Sequence, residues 1–397
     1  MRNARHQCPR VLQQISNDVT VTPRSSSLTV DVVDSSLPAG IADTIAAAGI
    51  SAVLRRDNPS GWDRTLADLH YIPVAYSSAA IDYQLAYQRG HGGEWWDISL
   101  VLYHDNRPCG VWPMCFAVKA DVASVTSHGL PVLPPLFVRG LGSKSRKNLI
   151  KRCLSLFEVL CRAGRIANPE SAESFADQSA LGVGEWHEQS MRGGATVACR
   201  HELFVDLSLE IEAIKASFRK SYKSLVTSGM RLWQTGVMTE ADPALWTEFR
   251  ELHLKVAGRV TRSLLSWDLQ HQAIADGNAL LVHLRNDRGG LVGGGFFSMT
   301  RDEGAYSVAA YDRSLFDKPL GHVVQYRAIE EMKRRRLRWY KIGVRPYPAE
   351  QPAATEKELS IGDFKRGFAT HLFPQYVLRH DIKVAEPTPT PSSRVDP

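Results

Sequence analysis

The same order of elements occurs twice along this chain, and nothing else in the sequence narrows the fold as far. In the first half a helix over about 77–89 precedes a strand at Asp97–Tyr103, a turn at His104-Asp-Asn-Arg107 and a strand at Cys109–Val118. In the second half a helix over about 267–275 precedes a strand at Ala279–Leu284 and the turn Asn286-Asp-Arg-Gly-Gly290. Leu291–Met299, the turn Arg301-Asp-Glu-Gly304 and Ala305–Tyr311 follow. Asp, Asn and Gly between β-rich runs signal hairpins. Each set is followed by a long helix, Ser143 to about Ala163 and Val323 to about Arg335. On the first, Leu149, Cys153, Phe157 and Leu160 recur on one face with Leu156 beside them; on the second, Val324, Ala328 and Met332 repeat every four residues. The two halves share element order and do not align residue by residue. Hairpins followed by crossing helices predict a mixed α/β (α+β) chain of two tandem domains, each a mostly antiparallel central sheet flanked by helices.

At 397 residues the chain has room for two such domains. The expected division is 39–200 and 201–383, between Ser/Thr-rich and Pro-rich tails at 1–38 and 384–397 that read as disordered. Past the join, a strand at His201–Leu207 leads into a helix over about 209–228, capped by Gly229, and a strand at Arg231–Met238. A hydrophobic share of 44% and a charged share of 23% suit a soluble globular protein. No apolar run approaches the roughly 20 residues of a membrane span, and the basic start lacks the apolar core of a secretory signal, so a cytoplasmic location is expected. The six cysteines show neither a Cys-x-x-Cys pair nor zinc-finger spacing, which points to structural thiols and no metal. A net charge of +6 permits contact with anions without demonstrating it. The densest basic cluster, Arg334–Arg338, suits a solvated helix C-terminus.

Several signatures are missing. There is no phosphate loop of the Gly-x-x-x-x-Gly-Lys-Ser/Thr type, no Gly-x-Gly-x-x-Gly fingerprint and no nucleophile elbow; His187-Glu188 and His201-Glu202 lack the second histidine of a zinc protease helix. Kinase chemistry, Rossmann-type hydride transfer and serine hydrolysis are thereby disfavoured. The run Tyr311–Tyr326 is more informative. It leaves a strand, passes through Leu320-Gly321-His322 and enters a helix at Val323, aiming unpaired N–H groups and the positive end of the helix dipole at one spot. Such a spot suits a phosphate or pyrophosphate, and Gly321 lets the backbone come close to it. Gly321 equally permits a tight strand-to-helix turn.

Residues from about 203 to 376 resemble the GNAT-like FemAB group of acyl and aminoacyl transferases. The resemblance is carried by Phe218-Arg-Lys-Ser-Tyr-Lys-Ser224 with Gly229, His253–Arg262, Leu320-Gly-His322, Arg338-Trp-Tyr-Lys-Ile-Gly343 and Phe364-Lys-Arg-Gly-Phe368. The first half resembles the group in element order and in Trp112-Pro113. The resemblance implies two tandem GNAT-type folds, a cleft between or beside them, and an acyl-CoA pyrophosphate at Leu320, Gly321, His322 and Val323. The chain departs from the group's Arg/Gln-x-x-Gly-x-Gly/Ala pattern, with Lys318 at the first position and His322-Val323 in place of the second small residue. It also implies that Lys365 reaches the cleft and meets an anionic substrate group. Arg259 and Arg262 are further candidates for an anionic substrate.

Amide formation needs a base for the amine proton, an acid for the leaving group and a donor for the oxyanion. Tyr311, Asp312 and His322 are the nearest suitable groups in that stretch. The leading expectation is an N-acyltransferase using an acyl-CoA-type thioester and an amine on a small molecule or glycan, such as an amino sugar or envelope polysaccharide precursor. Aminoacyl-tRNA as donor is the second reading. A silent carbohydrate- or nucleotide-binding module, to which Trp95-Trp96 could contribute stacking, is the third.

Overall fold

The computed structural model describes residues 37–38, 40–175 and 182–384. The two expected tails fall outside these apart from Leu37, Pro38 and Val384, as does Cys8. The helices are α1 (Ile41–Ala47), α2 (Pro59–Ala67), α3 (Ser78–Gly90), α4 (Ser143–Ala163), α5 (Glu185–Arg192), α6 (Ile211–Ser217), α7 (Lys220–Leu232), α8 (Pro243–Ala257), α9 (Leu264–Ala275), α10 (Leu320–Arg334) and α11 (Glu356–Arg366). The strands are β1 (Ala52–Leu54), β2 (Glu94–Asp97), β3 (Leu100–His104), β4 (Arg107–Trp112), β5 (Cys115–Lys119), β6 (Val122–Thr126), β7 (Leu136–Phe137), β8 (Glu170–Glu173), β9 (Thr196–Asp206), β10 (Gln234–Met238), β11 (Ala279–Arg285), β12 (Leu291–Met299), β13 (Glu303–Tyr311), β14 (Trp339–Val344) and β15 (His371–Arg379).

Both halves have the expected mixed architecture. In the second half one sheet runs β10-β11-β12-β13-β14-β9-β15-β8, antiparallel at every step except β13 to β14. In the first half the strands form two smaller sheets, β1-β3-β4-β7 and β2-β5-β6. The stripe Leu149, Cys153, Leu156, Phe157 and Leu160 of α4 is buried against the first, and Val324, Ala328 and Met332 of α10 are buried in the core of the second. Strand β8, from the first half by sequence, closes the edge of the large sheet on β15, with Glu173 opposite Tyr376. The expected join near residue 200 lies inside β9. From Leu37 onward the described chain is one unit.

Local chemistry explains where the elements depart from the sequence pattern. The expected strand Asp97–Tyr103 is β2 and β3, because the Asp97 carboxylate accepts the Ser99 N–H at 3.0 Å and turns the chain. The expected strand Cys109–Val118 is β4 and β5 in different sheets, divided at Pro113, which has no N–H to give a ladder. The expected helix over 209–228 is α6 and α7. Phe218 and Arg219 are extended between them, which drops the Phe218 ring against Tyr326 and Phe368. Gly229 does not cap a helix: it lies within α7, where an added Cβ would stand 2.4 Å from Val323, so its absence lets α7 close on α10. α7 continues to Leu232, so the next strand starts at Gln234. α10 begins at Leu320, so Leu320-Gly321-His322 is its first turn and no separate loop.

The loop after α2 ties the halves together. Tyr71 Oη and Val74 N–H donate to the two oxygens of Glu303 at 2.7 and 2.9 Å. Ile72 N–H donates to Asp302, and Thr300 Oγ1 donates to the Ile72 carbonyl. Among the described residues no helix is long and apolar enough to cross a membrane.

Candidate functional site

The edge of this junction opens into a cleft of about 1150 Å³. One wall comes from the first half and is mostly apolar: Pro131, Leu133, Pro134, Pro135 and Leu136, with Ile150 and the charged Arg146 of α4. The facing wall carries charge, with Glu173 on β8, Glu202 on β9, Glu303 on β13, Lys341 on β14 and Lys365 on α11.

The charged groups are held unequally. Lys341 Nζ is 2.5 Å from Glu202 Oε1, which also accepts from Gln375 at 2.9 Å. Glu202 is only 1% exposed, and its other oxygen has no hydrogen-bond partner. Burial pulls the Lys341 ammonium toward its neutral form, but Glu202 and Glu303 together outweigh that pull and raise its pKa. Burial pushes Glu303 up against the opposing pull of Lys341 and its hydrogen bonds. Glu173 receives the Gly184 N–H, yet burial dominates and pushes its carboxyl up to about 7. That contact depends on Gly184, since a Cβ there would stand 1.9 Å from Glu173 Oε1.

Lys365 occupies a break in the sheet. β13 and β14 pair only from Glu303 opposite Trp339 to Ala305 opposite Lys341, and beyond that the two parallel strands part. The Lys365 Nζ lies 5.5 Å from the centre of the Tyr306 ring, on β13. On β14, Gly343 has φ 142°, and a Cβ there would stand 2.6 Å from the same ammonium. Glycine is what fits both the backbone angle and the space. Burial alone lowers the pKa of this lysine. Phe364 and Phe368, four residues apart, pack on each other and on Tyr222 and fix the turn that carries it.

The other sequence candidates lie elsewhere. Tyr311 Oη is 3.1 Å from Tyr306 Oη, and burial raises its pKa well above the usual phenol value. Asp312 caps the short turn Arg313–Leu315 and pairs with Lys255 at 3.1 Å; its hydrogen bonds from Ser314 lower its pKa. His322 stands edge-on to Tyr222 and Phe364, and burial, helped by Arg219, brings its pKa down to about 4. An added Cβ at Gly321 would meet Phe364 at 3.0 Å and Tyr311 at 3.6 Å, so that side of the residue faces aromatic rings. No side chain caps α10 behind Pro319. Arg262 donates to Tyr83 Oη and lies over Tyr87 and Trp267, joining α3 to α9. Arg259 is exposed. Trp95 is buried and Trp96 packs against Phe116; neither lines the cleft.

Of the sequence candidates, the cleft gathers Lys365. Glu173, Glu202, Glu303 and Lys341 were not singled out in the sequence. Lys341 lies in the quoted run Arg338–Gly343, and His201-Glu202 stood out only as an incomplete zinc motif. Nothing in the sequence marks Glu173.

No protein-family model matches the chain, and no curated protein matches it. Solved structures do. FemX superposes with a TM-score of 0.59 at 10% identity, covering 82% of this chain and 96% of that one. L-PGS from Bacillus licheniformis gives 0.51 at 12%, covering 82% and 93%. The C-terminal DUF2156 domain of a putative lysylphosphatidylglycerol synthetase from Agrobacterium fabrum gives 0.51 at 10%, covering 81% and 92%. At such identities the likeness is one of fold, and by fold this chain stands with the FemAB-like, GNAT-type proteins.

Proposed function

We propose that the chain is an N-acyltransferase that moves an acyl group from an acyl-CoA-type thioester to an amine held in the cleft, with 39–200 and 201–383 as its two GNAT-like domains. The observation that carries this reading is the position of Lys365, a half-buried ammonium where the cleft meets the break between β13 and β14. Past Ala305 the facing edges of these strands are unpaired with each other, and an extended donor bearing amides finds backbone partners there. The uncapped first turn of α10, Leu320 to Val323, offers the N–H groups of Gly321, His322 and Val323 and the positive end of a dipole to the donor's phosphates, the Leu320 N–H being donated to the Lys318 carbonyl. The Lys365 ammonium then meets an anionic oxygen, either a substrate phosphate or carboxylate or the oxyanion that forms as the amine attacks.

A cleft of about 1150 Å³ exceeds the roughly 300–1,000 Å³ usual for small ligands. With its proline-rich wall it suits an amine on a larger body, such as an amino sugar within a glycan or envelope precursor. Arg259, exposed and outside the cleft lining, contributes long-range attraction of such a substrate.

Thiol release from acetyl-CoA and longer acyl-CoAs tests this reading, measured with and without glucosamine and glucosamine oligomers. Amine-dependent thiol release is expected. Lys365→Ala should lower kcat/KM by about ten- to hundredfold, the worth of one charge-assisted hydrogen bond. Turnover only with aminoacyl-tRNA, lost on RNase treatment, would assign the donor to the second class. No turnover and no thermal shift with either donor would leave a binding module.

A further inference from the structure

We propose that Glu173, supplied by the first half at the edge of the second half's sheet, is the residue that receives the acceptor's amine and takes its proton. This inference rests on the acyl-transfer reading and names its base.

Six glutamates line the cleft. Glu185 is engaged by Lys147 and Gln189, Glu350 by His201 and Glu358 by Thr355, and the partners of the other three separate them. Both oxygens of Glu303 are taken, by Tyr71 Oη and the Val74 N–H. Glu202 is compensated by Lys341 at 2.5 Å and held by Gln375. Glu173 has no cation of this kind. Its one described hydrogen bond comes from the Gly184 N–H, and its Oε2 has no hydrogen-bond partner. His187 lies beside it, with Nδ1 3.7 Å from that oxygen, too far for a hydrogen bond, and Nδ1 is likewise unpartnered. Both side chains are about nine-tenths buried. Two unpartnered polar atoms this close, shielded from water, are costly to keep unless a further group joins them. The carboxyl turns about a soft terminal torsion, so a proton taken at the cleft can be carried to the His187 side.

The ionisable neighbours fit such a role. His187 and Glu185 come from α5, Tyr376 from β15 packs edge-on to the His187 ring, and Tyr76 approaches from the first half. Burial lowers the pKa of His187, which therefore adds no fixed charge near neutrality. A carboxyl titrating near 7 is matched to proton transfer at physiological pH.

The step balances without a further reactant. An ammonium gives one proton to the Glu173 carboxylate, which passes it to solvent. The free amine attacks the thioester carbonyl, and a C–N bond forms as the carbonyl electrons move to oxygen. Collapse breaks the C–S bond, and the second N–H proton leaves with the thiolate as thiol.

Two measurements test the assignment. With a turning-over pair of substrates, Glu173→Gln should lower kcat by about 10²–10⁴-fold, a loss larger than any rise in KM for the amine. In the wild type kcat should rise with pH through about 7 and then level. A variant within threefold of wild-type kcat, or a wild-type profile flat from pH 5.5 to 8.5, overturns the proposal. Where no pair turns over, calorimetry with n-hexylamine at pH 7, in two buffers of different ionisation enthalpy, decides independently. An ammonium binding beside a half-protonated Glu173 releases a proton in the wild type and none in Glu173→Gln. Release that is absent, or equal in both proteins, overturns the assignment. Release confined to the wild type upholds Glu173 even if acyl transfer fails.

Discussion

Each half of the molecule buries a cluster of charges, and the two clusters are built on opposite principles. In the first half Arg55 donates to Asp97 at 2.8 Å and pairs with Asp82, while Asp97 also contacts His128 at 3.1 Å and accepts the Ser99 N–H. Both Asp97 oxygens are taken. Burial pushes its pKa up, but His128 and Arg55 outweigh it and hold the carboxylate far below its usual range. On the cleft wall, Glu173 and Glu202 each keep an unpartnered oxygen, and the Glu173 carboxyl is pushed up. A closed network supports the β2–β3 corner; an open one beside a cavity is poised for a ligand.

The sharpest way to break this contrast is to remove Asp97. Asp97→Ala leaves Arg55 buried with only part of its compensation, and loss of one partner of a buried pair costs about 3–5 kcal/mol. Urea unfolding at pH 7 should show a loss of that order, and a loss below about 1 kcal/mol would mean that the network is not structural. The acid side follows from the sign of the shift. Asp97 is depressed in the folded state, so its contribution is present above the unfolded carboxyl value, near 4, and fades as pH falls below it.

Glu173 should show the opposite sign. Its folded value, about 7, lies above the ordinary 4.5, so ionising it opposes folding, and stability from this group falls as pH rises between those values. Glu173→Gln should therefore stabilise the fold at pH 8 by up to about 3 kcal/mol, from 1.36 kcal/mol per unit. At pH 4, where both residues are uncharged, the effect should be small. Unfolding curves at the two pH values check this, and a variant equally or less stable at pH 8 would remove the contrast between the two clusters.

Neither cluster is legible in the sequence, since each joins residues far apart along the chain, as Arg55 with Asp97 and Glu173 with Tyr376. Helical stripes such as Leu149-Cys153-Phe157-Leu160 and turns such as Asp105-Asn106 are local and can be read directly. Lys365 was legible because Phe364 and Phe368 flank it in a recognisable run. The breaks at Asp97-Ser99, Pro113 and Phe218-Arg219 depend on where a side chain bonds or drops, which periodicity does not record. Glu173 meets Gly184 and His187 further along the same half, and Tyr376 where β8 joins the edge of the other half's sheet, and no spacing rule ties these positions together. The N-terminal turn of α10 reads as a loop because a glycine at a helix's second position looks the same in sequence as one before it.

That turn gives the smallest expected effect. Were Gly321 needed for close approach of a donor phosphate, any side chain there would block binding. An added Cβ instead points at Phe364, 3.0 Å away, and at Tyr311. Gly321→Ala should press on the Phe364 ring, which must yield by a few tenths of an ångström. Alanine's better helix propensity, about 1 kcal/mol over glycine, offsets that strain. Net stability should change by less than about 1 kcal/mol, and the N–H groups of the turn stay available to phosphate. Acyl-CoA affinity, read from the thermal shift at graded ligand concentration, should match the wild type. A tenfold loss of donor affinity in a variant that keeps its melting temperature would place the phosphate on the aromatic side of Gly321. Lys365, whose ammonium sits at the Tyr306 ring, and Arg219, whose guanidinium lies over Tyr222, would then be the cations on the donor's side, and the assignment of Lys365 would move from the acceptor to the donor.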